Sequence, residues 1–239
     1  MPNDSSPEWE ALLSCAARLQ KIIPEAILVG GTAAALYANH RHSHDADHIL
    51  SDLTQRFDQI LAALESVSGW STARVKRPVM ILGSLDGIET GIRQLIRTQA
   101  LETRELMVNG VKITVPTEQE ILRIKAALIL KRNATRDYLD FVALATHLGM
   151  TATLAALVNL DVLYPQPSSE SAIQQLQIQL ANPLPYDLDV GNLDNYRNLD
   201  VRWHDWKEVK KICIDLALGL LDVVTMKKPP GKSTPGSGG

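Results

Sequence analysis

Cysteine is scarce in this 239-residue chain: only Cys15 and Cys213, far apart and each set in an apolar helical pattern. That usage excludes a disulfide framework, makes a reducing compartment the expectation and reads both thiols as core residues. No apolar run approaches the roughly 20 residues a membrane helix needs. Met1–Glu10 is polar and acidic, unlike a signal or transit peptide. These absences give a cytoplasmic protein without membrane partners as the expectation. An excess of positive charge is missing too: net charge is −3, which argues against indiscriminate nucleic-acid binding.

What is present is an ordinary globular composition, 45% hydrophobic and 21% charged, long enough for one large domain or two small ones. Charge is uneven along it. Between Thr72 and Arg136 twelve Lys and Arg face six Asp and Glu, a net of +6. A basic middle in an acidic chain fits a localised polyanion site, and equally a solvated face with helical ion pairs.

Hydrophobic spacing predicts an amphipathic helix over Pro7–Ile22, a strand over Ala26–Val29, a helix over Thr32–Ala38, a strand over Ala46–Leu50 and a helix over Leu53–Ser66. Two hairpins follow: Val79–Leu82 with Ile88–Ile96, and Glu105–Val115 around Asn109-Gly110. Thr117-Glu118-Gln119-Glu120 is a capping box that opens a helical region, broken near Asn133 and closed at Gly149. Helices over Thr151–Leu160 and Trp206–Val224 complete the pattern, with ordered loops at Tyr164–Ser169 and Asn182–Trp203. In Trp203-His204-Asp205-Trp206 the aspartate reads as a helix N-cap. Lys227–Gly239 is expected to be flexible.

The chemistry concentrates in Ile27–Leu50, ILVGGTAAALYANHRHSHDADHIL. Asp45 and Asp47 stand two apart, so an extended backbone presents both carboxylates on one face, an arrangement that calls for a cation. Gly30-Gly31 before a helix lets amide N–H groups and the helix dipole approach a phosphate. Together they point to chemistry on a nucleoside triphosphate. His40, His42, His44 and His48 suggest zinc, but they miss the H-x-H-x-D-H hydrolase spacing by one residue. They read instead as lining the site entrance or a solvated loop.

These residues resemble the nucleotidyltransferase superfamily related to DNA polymerase β. More narrowly, Gly30 to Asp47 with Arg41 and Ser43, followed by Lys125, Arg132 and Arg136-Asp137-Tyr138-Leu139-Asp140, is similar to its abortive-infection toxin branch, the AbiEii-like proteins with the MenT toxins as relatives. The resemblance covers roughly Ile27 to Leu148. It implies an α/β (α+β) polymerase-β-like core, a mixed sheet flanked by helices, over residues 1–116. A mainly helical C-terminal region over 117–226 would complete the nucleotide and acceptor cleft, with a tail over 227–239. It implies Mg²⁺ (or Mn²⁺) on Asp45 and Asp47 in a two-metal arrangement, and a triphosphate cradled by Gly30, Gly31 and Thr32. Lys125 would act as a point charge and Arg132 as a planar fork to phosphate. Asp137 or Asp140 would act as a base or orient Arg136, with a plain Arg136–Asp140 helix pair as the competing reading.

One position departs from the pattern. A third metal-binding acid belongs on Ile88–Ile96, where the matching residue is Gly91, Glu89 is the sole acid and Arg93 shares its face. The resemblance implies an Mg²⁺-dependent nucleotidyltransferase that moves an NMP from an NTP to a hydroxyl. The implied acceptor is RNA, best the tRNA 3′ end, docked on the basic segment, and the implied role is the toxin of a pair with a cognate antitoxin. The alternatives are an antitoxin-type enzyme adenylylating a partner protein, and a catalytically silent nucleotide-binding or interaction module of the same fold.

Overall fold

The computed structural model describes residues 6–167 and 170–227. Helix α1 (Pro7–Ile22) opens with Ser6 accepting from the Trp9 N–H and buries Trp9, Leu12, Leu13, Ala16 and Leu19 on one side. Strand β1 (Ile27–Leu28) leads into α2 (Gly30–Ala38), a short alanine-rich helix ended by Asn39 in the left-handed region. Then come β2 (Ala46–Leu50), α3 (Leu53–Glu65), β3 (Trp70–Lys76), β4 (Met80–Leu85) and β5 (Ile88–Gln94). A separate hairpin, β6 (Thr103–Val108) and β7 (Val111–Pro116), turns on Asn109-Gly110, both at positive φ as the tight turn requires.

The five strands β1 to β5 form a mixed sheet in the order β1-β2-β5-β4-β3. Only β2 and β5 run parallel, with Ala46 opposite Thr90 and Asp47 opposite Gly91. One sheet face, through Ile81, Leu85, Ile92 and Leu50, packs on α1 and α3 in a core with Leu19, Phe57, Ile60 and Leu64. The other face carries Asp47, Glu89, Gly91, Arg93, Leu82 and Ser84, and its β3–β4–β5 part borders an open cleft.

The back half is helical, as the sequence predicts. Helices α4 (Glu118–Arg132), α5 (Thr135–Leu148), α6 (Met150–Leu157), α7 (Leu160–Leu163), α8 (Ala172–Ala181) and α9 (Trp206–Lys227) surround a larger core. That core joins α1 and α2 to Tyr138, Phe141, Leu144, Leu176 and Leu216. Asn133 breaks α4 from α5 by taking the left-handed conformation, and Gly149 parts α5 from α6 at a positive φ of 81° with an extended ψ. Asp205 caps α9 by accepting from Lys207 N–H at 2.9 Å. Both cysteines are free and buried, and burial pushes Cys15 up to about 11 and Cys213 up to about 12, as core thiols behave.

Strand β3 and helices α7 and α8 lie outside the sequence reading. Strand β3 is an edge strand with Arg74 and Lys76 exposed, so it carries no apolar alternation. Helix α8, with four glutamines in ten residues, lacks a charged face to set its period. Past Lys227 the expected tail lies outside the described residues. Among the described residues no single helix is long and apolar enough to cross a membrane.

Only half of the capping box of α4 forms: Thr117 Oγ1 accepts from the Glu120 N–H at 3.3 Å, whereas the Thr117 N–H donates to the Glu102 carbonyl and the Glu120 carboxylate pairs with Arg97 and Arg123. Thr117→Ala is expected to lower stability by about 1 kcal/mol in urea unfolding, whereas Thr117→Ser stays within a few tenths.

Candidate active site

The two aspartates come together at the mouth of β2. Val29 N–H donates to the Asp47 carbonyl at 2.8 Å, and Thr32 Oγ1 donates to the Asp45 carbonyl at 2.7 Å. These bonds bolt the start of α2 to the acid-bearing segment. Gly30, at φ 76°, lies so close that a Cβ there would stand 3.6 Å from Asp47 Cβ. The first-turn N–H groups of α2 therefore open beside Asp47, where the positive end of the helix favours an anion. Thr32 is fully buried with its hydroxyl committed to Asp45, so its side chain is a tie between α2 and the acid segment rather than part of a phosphate cradle.

Asp45 accepts from Ser43 Oγ at 2.6 Å, and Asp47 sits 3.7 Å from Arg93 Nε. Burial and then the Asp45 charge push the Asp47 carboxyl up, while Arg93, Lys125 and Arg136 pull it back. Both aspartates line a cleft of about 400 Å³ with Ser71, Arg74, Gly83 and Glu89.

Behind the aspartates lies a buried ionic cluster. Asp140, fully buried on α5, accepts from Arg41 Nε at 2.7 Å and Nη2 at 3.0 Å, and pairs with Lys125 Nζ at 2.6 Å and His40 Nε2 at 2.7 Å. Burial alone would push its carboxyl up; Arg41, Lys125 and His40 outweigh that and hold it well below the usual carboxylate range. Asp137, also buried, pairs bidentately with Arg132 and lies 3.7 Å from Lys125. The Arg41 guanidinium reaches the Gly31 backbone so closely that a Cβ there would stand 2.6 Å from Nη2. Gly31 is thus required as a bed for Arg41.

The sequence expectations fare unevenly against this geometry. Gly30, Asp45 and Asp47 are assembled around one opening. Lys125 is 1% exposed and its ammonium is held by two carboxylates, so it is not presented to the cleft as a point charge. The Arg132 fork closes on Asp137 rather than standing open. Asp140 pairs with Arg41 instead of Arg136, so the helix pair at i, i+4 is not what forms; Arg136 is exposed. Glu89 lines the cleft, yet among the described residues no three His, Cys, Asp or Glu side chains are arranged to hold a metal.

The histidines and the basic segment also read differently in three dimensions. Of the four histidines around the aspartates, His40, His42 and His48 are buried and His44 is exposed. His42 stacks on Trp9, with ring centroids 4.9 Å apart, so these rings are packing elements rather than an entrance. Arg97 pairs with buried Glu120 at 2.7 Å, and Arg123 with Glu120 and Glu102 at 3.0 Å each. Arg97, Arg123 and Lys125 of the basic middle are therefore neutralised inside the molecule, while eight of its twelve cations stay exposed. Sequence reasoning passed over the Arg41–Asp140 clamp and the contribution of β3 to the cleft. The signal for the clamp was present in the motif, but which acid meets which base is a matter of tertiary geometry.

Over this geometry two solved structures superpose across nearly the whole chain. A candidate nucleotidyltransferase of H. pylori matches with a TM-score of 0.55 and 16% identity, covering 95% of this chain and 100% of that one. The Helicobacter pylori protein JHP933 matches at 0.52 and 15%, covering 93% and 94%. The fold is that of the nucleotidyltransferases. No family model matches the chain. In sequence it is similar to a stretch of the heme uptake protein MmpL11 of Mycobacterium tuberculosis, 30% identical over 128 residues, 53% of this chain. The mycolic acid-containing lipids exporter MmpL11 of Mycolicibacterium smegmatis is 29% identical over 135 residues. The chain spans about 13% of the length of these curated relatives.

Removing Asp140 leaves Arg41 and Lys125 buried without their shared counter-charge. Asp140→Asn is expected to cost about 3–5 kcal/mol in denaturant unfolding. A second prediction concerns pH. Burial pushes His48 down to about 4 from 6.5, and lowers His40 as well. The unfolded chain therefore takes up protons between pH 6.5 and 4 that the folded chain refuses, so stability is full above pH 6.5 and falls on acidification across that window. The expected slope from His48 is up to about 1.4 kcal/mol per pH unit across that window, with His40 adding in the same direction. His48→Leu should flatten it in unfolding curves taken from pH 7 to 4; an unchanged slope refutes the assignment.

Proposed function

We propose that this chain is a nucleotidyltransferase that moves an NMP from an NTP to an acceptor hydroxyl. One observation carries the reading: the paired Asp45 and Asp47 carboxylates open onto the first turn of α2 through Gly30, whose backbone lies against Asp47. Carboxylates for a cation and amides for a polyphosphate share one mouth.

Asp45 and Asp47 would hold a magnesium or manganese ion, a hard cation suited to carboxylate and phosphate oxygens. When bound, such an ion neutralises polyphosphate charge and makes an acceptor hydroxyl easier to ionise. Ser43 orients the Asp45 carboxylate, and the Gly30, Gly31 and Thr32 backbone N–H groups receive phosphate. Arg93 and Arg136 supply the exposed positive charge nearby. The acceptor oxygen forms a bond to the α-phosphorus, the bond to the leaving pyrophosphate breaks, and the hydroxyl proton passes to water. The Asp140 cluster positions this machinery from behind, and Lys125, Arg132 and Asp137 act through it.

On this reading residues 1–116 form the catalytic core, 117–226 the helical part that closes the cleft, and the reaction belongs in the cytoplasm with its NTP. The acceptor we favour is RNA, the tRNA 3′ end first, and the biological setting a toxin of the AbiEii type held by an antitoxin. Exposed Arg74 and Lys76 on β3 beside the cleft support a polyanionic acceptor. The glycine opposite Asp47 favours one competing reading, a silent nucleotide-binding module.

Incubation with each labelled NTP, Mg²⁺ and total RNA is expected to label RNA, and Asp45→Asn or Asp47→Asn to reduce labelling by at least about 100-fold. Label in a protein but not RNA indicates the adenylylating alternative. Nucleotide binding with no transfer under any condition indicates the silent module and refutes the enzyme.

A further inference from the structure

The position beside Asp47 on the neighbouring strand is closed to a third carboxylate. Gly91 stands directly opposite Asp47 in the β2–β5 pairing. A Cβ on Gly91 would lie 2.5 Å from Leu82 Cδ2 and 2.6 Å from the Ile81 carbonyl oxygen, so even alanine displaces its neighbours. Glu89, two residues earlier on the same face, is exposed and completes no three-acid group. Two residues later on that face comes Arg93, its Nε 3.7 Å from Asp47 Oδ1 and its side chain 46% exposed. Its Nη1 touches Met80 Sδ at 2.9 Å, which steadies the side chain over the strand. Of the other cations near the site, Arg41, Lys125 and Arg132 are committed to Asp137 and Asp140, while Arg74 and Arg136 are exposed; Arg93 is paired with Asp47.

We propose that the cleft takes a single divalent cation on Asp45 and Asp47, and that the Arg93 guanidinium does the charge work of a second. The inference rests on the nucleotidyl-transfer reading, and replaces the two-metal arrangement that the family resemblance implies with a single ion. A guanidinium beside Asp47 balances one carboxylate charge permanently, and its planar edge offers donors to a phosphate oxygen arriving in the same mouth. It also competes with a cation for Asp47 before nucleotide binds. The site is therefore expected to load its ion together with the nucleotide.

The test uses the full chain and Mn²⁺, followed by electron paramagnetic resonance, first alone and then with an α,β-methylene NTP analogue. The wild type is expected to bind one Mn²⁺ per chain with the analogue present. Arg93→Ala is expected to bind Mn²⁺ alone about three- to fivefold more tightly, since a partly exposed pairing of like size is being removed. Arg93→Asp, which places a carboxylate on that face, is expected to raise the count with analogue to two. Two ions on the wild type, or Mn²⁺ affinity in Arg93→Ala equal to wild type, overturns the inference while leaving nucleotidyl transfer standing. Absence of any Mn²⁺ or analogue binding that Asp45→Asn and Asp47→Asn remove overturns both.

Discussion

A single buried carboxylate governs the architecture. Asp140 on α5 holds Arg41 with two hydrogen bonds, Lys125 of α4 with a third contact and His40 with a fourth. A lone charge at that depth would cost several kcal/mol, and each cation would cost as much without it, so the group is stable only as a set. Because Arg41 and His40 belong to the segment between α2 and β2, the clamp fixes the approach of the chain to Asp45. Arg41 lies on Gly31, Ser43 follows two residues later and donates to Asp45, and Thr32 ties Asp45 back to α2. The helical half thus sets the geometry of an opening formed by the strand half.

Charge in this region is sorted into two layers. The inner one, Arg41, Lys125 and Arg132 with Asp137 and Asp140, is nearly closed upon itself and carries one cation more than anion. The outer one, Asp45 and Asp47 with Arg93 and Arg136, is exposed or half-exposed. The inner surplus reaches Asp47, which feels Lys125 as well as Arg93 and Arg136. Two adjacent carboxylates are tolerated because this field lies behind them, held by residues set back from the cleft.

Much of the fold was legible. Helical periods around Trp9 and Phe57, the Asn109-Gly110 turn and the Thr117 cap each rest on local chemistry that sequence spells out. Strand β3 was not, because an edge strand with exposed Arg74 and Lys76 has no buried face to write an alternation. The diglycine and the aspartate pair were legible as types, and the structure sets Gly30 against Asp47. What spacing could not supply was pairing. Arg97, Arg123 and Lys125 look identical to surface cations in sequence, but Glu120, Asp137 and Asp140 draw them inside. The four histidines interleaved with the aspartates suggested solvent or metal, whereas Asp140 claims His40, Trp9 claims His42 and the sheet interior claims His48.

Strand β3 borders the cleft and is also the outermost strand of the sheet, with one side of its backbone lacking a neighbour in the sheet. Such a border invites another chain to add on as a further strand. Three features oppose this: Arg74 and Lys76 project from it, the register with β4 slips between Thr72 and Arg74, and Pro78 follows directly after Arg77. Like charges and a kinked ladder make strand-by-strand growth into fibrils unfavourable along this border. The rim of the opening can therefore remain uncovered for a reactant without becoming a nucleus for aggregation.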